Sequence, residues 1–215
     1  YAAFSRREEF VNLLEVRAGT PPSSVQMLLR FKRIQGMEGM DDYWHSWEIW
    51  FAQIEESHST LPALVFFRSP RSDQSWITAA GTVLDAAALR LAAIDLPPSP
   101  AAMLCIRAGF LALRRISDSF GIPYPPEPKH PETPISITQD EFNTVLEELK
   151  EAGISLKDDP EQVWKDFAGW RVNYDHTLLA LCDLVMAPPA FWSSSKKQER
   201  KNDRSYSQPA REKLN

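Results

Sequence analysis

LPALVFFRSPRSDQSWITAAGTVLDAAALRLAAI, residues 61–94, decides the fold: an apolar lead-in, a charged turn, and then a segment that is apolar nearly all round. From Ser75 to Ile94 no proline interrupts, and Ser72 or Asp73 can cap a helix start by accepting a backbone N–H bond. Trp76, Ala80, Val83, Leu84, Ala87, Leu91 and Ile94 fall on one face at helical spacing, while Ile77, Ala88 and Ala92 cover another. A helix apolar on most faces is surrounded by other helices or by lipid. A membrane span needs about 20 mainly apolar residues, and this segment carries Asp85 and Arg90. The sequence therefore predicts an all-α fold, an irregular helical bundle built around a buried helix at 75–94.

Asp85 is the exceptional residue of that helix. A carboxylate in apolar surroundings needs a cation, because breaking a buried pair costs about 3–5 kcal/mol. Arg90 lies five positions on and points elsewhere. Arg171 is the first choice, since it shares a helical stripe with Trp164, Phe167, Tyr174 and Leu178; Arg68 and Arg107 are the alternatives. Such a site is a structural ion pair or an interior ligand site.

Working outward, Ser5 and Glu8 have capping-box spacing ahead of a first helix that Gly19 ends. Ser23 or Ser24 opens a second. A third begins at Asp41 and Asp42 and carries Tyr43, Trp44, Trp47, Trp50, Phe51 and Ile54; with no Lys or Arg between 41 and 57, that aromatic face reads as core, not as a base-stacking platform. Ser99 and Pro100 start a helix with Met103, Ile106, Phe110, Leu113, Ile116 and Phe120 as its buried stripe, and Gly121 stops it. Six prolines between 122 and 134 make an extended strap, since proline has no N–H to donate. Thr138 and Glu141 repeat the capping-box spacing, and Asp159 and Pro160 launch one long last helix ending before Pro188. The organisation expected is a helical part at 1–121, the strap at 122–137, a second helical part of the same domain at 138–192, and a mobile basic tail at 193–215.

Net charge is −5 over 215 residues, but the stretch from Lys196 to Lys213 carries +4, leaving −9 on the remainder. An acidic body argues against a nucleic-acid binder, and the tail is suited to anionic lipid. Cys105 and Cys182 both sit in apolar helical contexts and read as buried thiols. His45, His58, His130 and His176 lie apart without metal-ligand spacing, and His58 is expected to meet the open carbonyls of a helix end. No phosphate loop, HExxH, paired CxxC or GxSxG occurs. These readings give no catalytic residue, no cofactor and no metal.

Several segments together carry a resemblance: YAAFSRRE at 1–8, LLEVRAGTPPS at 13–23, LPALVFFRSP at 61–70, QSW at 74–76, LDAAAL at 84–89, IRAGF at 106–110, VNYD at 172–175 and LVMAPPAFWSS at 184–194. Over about residues 1–195 the chain resembles the cytoplasmic C-terminal region of bacterial two-transmembrane, potassium-channel-like proteins. The resemblance implies a non-catalytic domain on the cytoplasmic face of the inner membrane that assembles, stabilises or gates its own transmembrane pore, as a homo-oligomer. Residues 1–4 would then be the last turn of the inner membrane helix, with Arg6 and Arg7 membrane-proximal on its cytoplasmic side. No TVGYG-type filter is present in these residues. A soluble helical enzyme or ligand sensor using Asp85 and an arginine is the competing expectation, and a polyproline-reading partner for the strap is a third.

Overall fold

The computed structural model describes residues 2–194. Among them are eight α-helices: α1 Ala2–Ala18, α2 Ser24–Arg33, α3 Asp41–Thr60, α4 Trp76–Ala92, α5 Pro100–Asp118, α6 Gln139–Glu151, α7 Pro160–Arg171 and α8 Asp175–Leu184. A short 3-10 helix, Pro62–Phe66, leads from α3 towards α4. The described residues contain no strand; the one extended pairing is an isolated antiparallel bridge between Ile94 and Leu156.

The helix boundaries follow from side chains that satisfy the free amides of the first turn. Ser23 Oγ accepts from Gln26 N, Ser99 Oγ from Ala102 N, and Asp159 Oδ1 from Gln162 N. At α6 the expected capping box is complete, with Thr138 Oγ1 accepting from Glu141 N at 3.2 Å and Glu141 Oε2 accepting from Thr138 N at 2.7 Å. Ser99 also donates to Asp41 Oδ1 at 2.6 Å, so the cap of α5 ties down the start of α3. Gly121 and Gly153 follow α5 and α6 with φ of +63° and +77°, values that a β-carbon disfavours.

Four boundaries differ from the sequence reading. α1 begins at Ala2, so Ser5 and Glu8 lie inside the helix and form no cap box. α4 takes Ser75 as its N-cap residue, after the turn that holds Ser72 and Asp73. The long last helix is two helices, because Asn173 Nδ2 donates to the carbonyls of Gly169 and Trp170 at 2.9 and 3.3 Å, capping α7 from beyond its end. Ser193, expected to open the mobile tail, is instead fully buried, and the carbonyl of Trp192 before it is bonded to Arg171. The rest of that tail lies outside the described residues.

α4 is the buried axis. Of its residues only Leu91 escapes full burial, and α1, α2, α5, α7 and α8 all pack against it. Its small residues allow that crowding, since alanines let neighbouring backbones approach on every side. One hydrophobic cluster runs through both halves of the chain, from Leu28 and Trp44 to Phe142, Phe167 and Leu178. The strap therefore crosses a single core and does not divide two. It is itself packed: Arg114 donates to the Pro126 carbonyl, its guanidinium lies over the Phe110 and Tyr124 rings, and His130 meets Trp164 edge-on.

The aromatic face of α3 is core, as expected, with Trp44, Trp47, Trp50, Phe51 and Ile54 buried. It packs on α5, where the stripe is rotated from the expected one: Met103 is exposed, and Cys105, Gly109 and Ala112 are buried. Gly109 is crowded from both α4 and α3. A β-carbon there would lie 2.4 Å from Leu84 Cδ2 and 3.0 Å from Phe51 Cζ. Glycine to alanine inside a helix ordinarily gains about 1 kcal/mol. At Gly109 the crowding reverses the sign, and Gly109→Ala is expected to lose about 1–3 kcal/mol, read from the urea midpoint at unchanged slope.

Candidate functional site

Asp85 points from the middle of α4 towards the junction of α7 and α8. Arg171, on the last turn of α7, donates Nη1 to Asp85 Oδ1 at 2.5 Å, Nε to Asp175 Oδ1 at 2.7 Å and Nη2 to the Trp192 carbonyl at 2.7 Å. Tyr174 Oη donates to the same Asp85 oxygen at 2.9 Å. Asp175 is held in turn by the Ser136 amide and hydroxyl, at 3.0 and 2.7 Å, which brings the end of the strap into the network. Asp85, Arg171 and Tyr174 are all wholly buried.

Arg171 is thus the partner that the shared stripe with Trp164, Phe167 and Leu178 predicts. The other two arginines are elsewhere: Arg107 is exposed on α5, and Arg68 is exposed on the turn before α4. Asp175 and the strap's Ser136 were not legible as members, because their approach depends on the break after α7.

One guanidinium faces two carboxylates here, and the deeper one bears the electrostatic cost. Burial raises the Asp85 carboxyl to about 6, against the opposing pull of Arg171 and the Tyr174 hydroxyl. Asp85 Oδ2 has no hydrogen-bond partner. Burial also raises the Tyr174 hydroxyl, whereas the flanking carboxylates keep Arg171 charged by raising its pKa.

A second buried arginine lies on α1. Arg6 is exposed, but Arg7 turns inward with 2% exposure, so it is an internal brace and not a free surface charge. It donates to the Leu64 carbonyl at 2.9 Å and the Phe67 carbonyl at 2.6 Å, pairs with Glu8 at 2.8 Å, and meets His58 Nε2 at 3.2 Å. A guanidinium only donates, so His58 Nε2 is the acceptor and the ring proton sits on Nδ1, facing Ser57 Oγ at 3.0 Å. The Ser57 hydroxyl in turn donates to the Gln53 carbonyl at 2.8 Å. His58 therefore meets Arg7 and Ser57. Burial, and then the neighbouring Arg7 charge, lower its pKa to about 4, while of the carbonyls in its helix end it is that of Ile54 that pulls it upward.

The signal for Arg7 was in the sequence. Arg7, Val11, Leu14 and Ala18 share one helical face, and all four are buried.

Arg68 lines a cavity of about 260 Å³ between the turn at 65–76 and residues 185–188. Its walls are drawn from segments 61–70, 74–76 and 184–194, three of those that carry the resemblance. Neither Asp85 nor Arg171 opens into it. Among the described residues no group of three His, Cys, Asp or Glu is placed to hold a metal ion. Glu55 pairs with Arg115, away from His58. Cys105 and Cys182 are buried free thiols whose pKa burial raises. No described helix is long and apolar enough to cross a membrane.

No family model, curated protein or solved structure matches the chain. The reading of function therefore rests on the quoted segments and on the geometry above.

Proposed function

We propose that the chain is a non-catalytic cytoplasmic domain of a bacterial potassium-channel-like membrane protein, working in a homo-oligomer to stabilise or gate that protein's own pore. The observation that carries this reading is the Arg7 brace. In the arrangement that the resemblance implies, α1 continues the inner membrane helix, and Arg7 fastens that helix to the Leu64 carbonyl of the 3-10 segment, to the Phe67 carbonyl just beyond it and to the end of α3. A tilt of α1 is then passed to the core through charge-assisted hydrogen bonds instead of being absorbed by a loose joint.

The buried network supports a structural role in preference to an interior ligand site. Each nitrogen of Arg171 already donates to the protein itself, and Asp85 is sealed from solvent. The strap, likewise, is tied to its own domain through the Pro126 carbonyl and the His130 ring, which favours a connector over a polyproline ligand.

The test begins with the reading frame upstream of residue 1, which is expected to encode two hydrophobic spans and a filter. The full-length protein is then placed in vesicles and its potassium flux measured. Arg7→Lys keeps the charge but loses the forked reach to two carbonyls; it is expected to change flux about fivefold or more, with Arg6→Lys as the silent control. A start codon directly before Tyr1, or flux equal in the two variants, overturns the proposal.

A further inference from the structure

α1, α2 and α3 leave between them an open trough of about 890 Å³. Its floor is aromatic, formed by Phe10, Phe31, Tyr43 and Trp47, whose rings pack edge to face on one another. Three large aliphatic side chains stand at its edge in solvent: Leu13 is 46% exposed, Val16 69% and Ile34 70%. That volume lies within the range of about 300–1,000 Å³ usual for small-molecule sites, and such sites are apolar with a few fixed polar groups.

The fixed polar groups here are arginines. Arg17 donates to the Leu13 carbonyl at 3.2 Å and lies over the Tyr43 ring, 5.5 Å from its centroid. Arg30 donates to the Val16 carbonyl. Both are held in place by neutral acceptors, and neither they nor Arg33 forms an ion pair among the described residues. Asp42 is the sole carboxylate lining the trough. The result is an apolar furrow with unneutralised positive charge along its rim.

We infer that the trough between α1, α2 and α3 binds a monomeric long-chain carboxylate, with the alkyl chain over Phe31, Tyr43 and Trp47 and the anionic head between Arg17 and Arg33. Charge decides against a second copy of the chain, because a two-fold contact would set three arginines against three. Shape decides against a membrane surface, because interfacial helices present a projecting apolar face, whereas this one is concave. The inference does not depend on the channel reading.

The test uses calorimetry on the full chain with decanoate and with decyltrimethylammonium, two probes of the same chain length and opposite head charge. Decanoate is expected to give a saturable one-to-one isotherm, with the cationic probe about tenfold weaker or more. Val16→Asp and Ile34→Asp alter exposed positions, so they should leave the melting temperature within a degree or two while removing decanoate binding. Arg33→Glu should weaken decanoate about tenfold and narrow the gap between the two probes. Non-saturating heat, equal affinity for the two probes, or unchanged binding by Val16→Asp overturns the inference. So does self-association in sedimentation that Val16→Asp abolishes, or binding confined to phosphatidylglycerol vesicles with none of monomeric decanoate.

Discussion

Replacing Arg171 by alanine is expected to lower the unfolding free energy by about 3–5 kcal/mol, the cost of stranding a buried charge. Asp85 loses a bond of 2.5 Å, Asp175 one of 2.7 Å, and the Trp192 carbonyl its donor. For a domain of this size each kcal/mol moves Tm by about 2–4 °C, so the melt followed by circular dichroism should fall by roughly 6–20 °C. Asp85→Ala should also fall markedly, because Arg171 and Tyr174 then lose their shared acceptor. Asp85→Asn should fall less, since the amide oxygen still accepts from Tyr174 and Arg171 keeps Asp175. Arg107→Ala, on the exposed face of α5, is the control that should not move.

The same cluster sets a pH dependence of defined sign. Asp85 titrates at about 6 in the fold and near 3.9 when unfolded. Its contribution is therefore full below about pH 4 and is lost as pH rises through about 6. His58 runs the other way, at about 4 folded against about 6.5 unfolded, so its contribution is present above about pH 6.5 and lost as pH falls through about 4. Each shift is worth on the order of 3 kcal/mol, and the two slopes oppose each other over one window. The wild-type Tm should thus vary little between pH 4 and 6.5, while Asp85→Asn should expose a steep acid loss from His58. Parallel profiles for the two proteins contradict the account.

What the sequence made legible, and what it hid, divides along a physical line. The α4 segment announces its own burial because apolar residues occupy every face, and one acid among them demands a cation. The stripe of α7 supplies that cation at Arg171. By contrast, the break between α7 and α8 turns on a side chain, Asn173, reaching back to carbonyls that a periodicity count treats as already satisfied. Asp175 and Ser136 meet only as a result of that break. The rotated stripe of α5 was hidden for a related reason: Met103 looks like core and Gly109 does not, yet the near contact with Leu84 and Phe51 admits only a residue without a side chain. The burial of Arg7 is written in its register with Val11, Leu14 and Ala18, a signal that its charge masks.

Arg7→Met is the second large effect expected, again about 3–5 kcal/mol, but with a different local signature. The substitution keeps an unbranched apolar stem, shorter than that of arginine, and removes every donor. The Leu64 and Phe67 carbonyls, the His58 ring nitrogen and the nearly buried Glu8 carboxylate lose their common partner at once. Amide exchange should therefore quicken through residues 61–67 and the last turn of α3, where Arg171→Ala should instead quicken α7 and α8. Because much of the penalty is the stranded Glu8 charge, Arg7→Met with Glu8→Leu should recover roughly half the loss, the two carbonyls still lacking donors. Removal of the guanidinium also takes away one of the causes that depress His58, so its pKa should rise from about 4 towards the ordinary histidine range and the acid loss of stability should shrink. If Arg7→Met instead melts within a degree of wild type with His58 titrating unchanged, then α1 is not fastened to the core through this residue, and the lever that the proposed gating role depends on is missing.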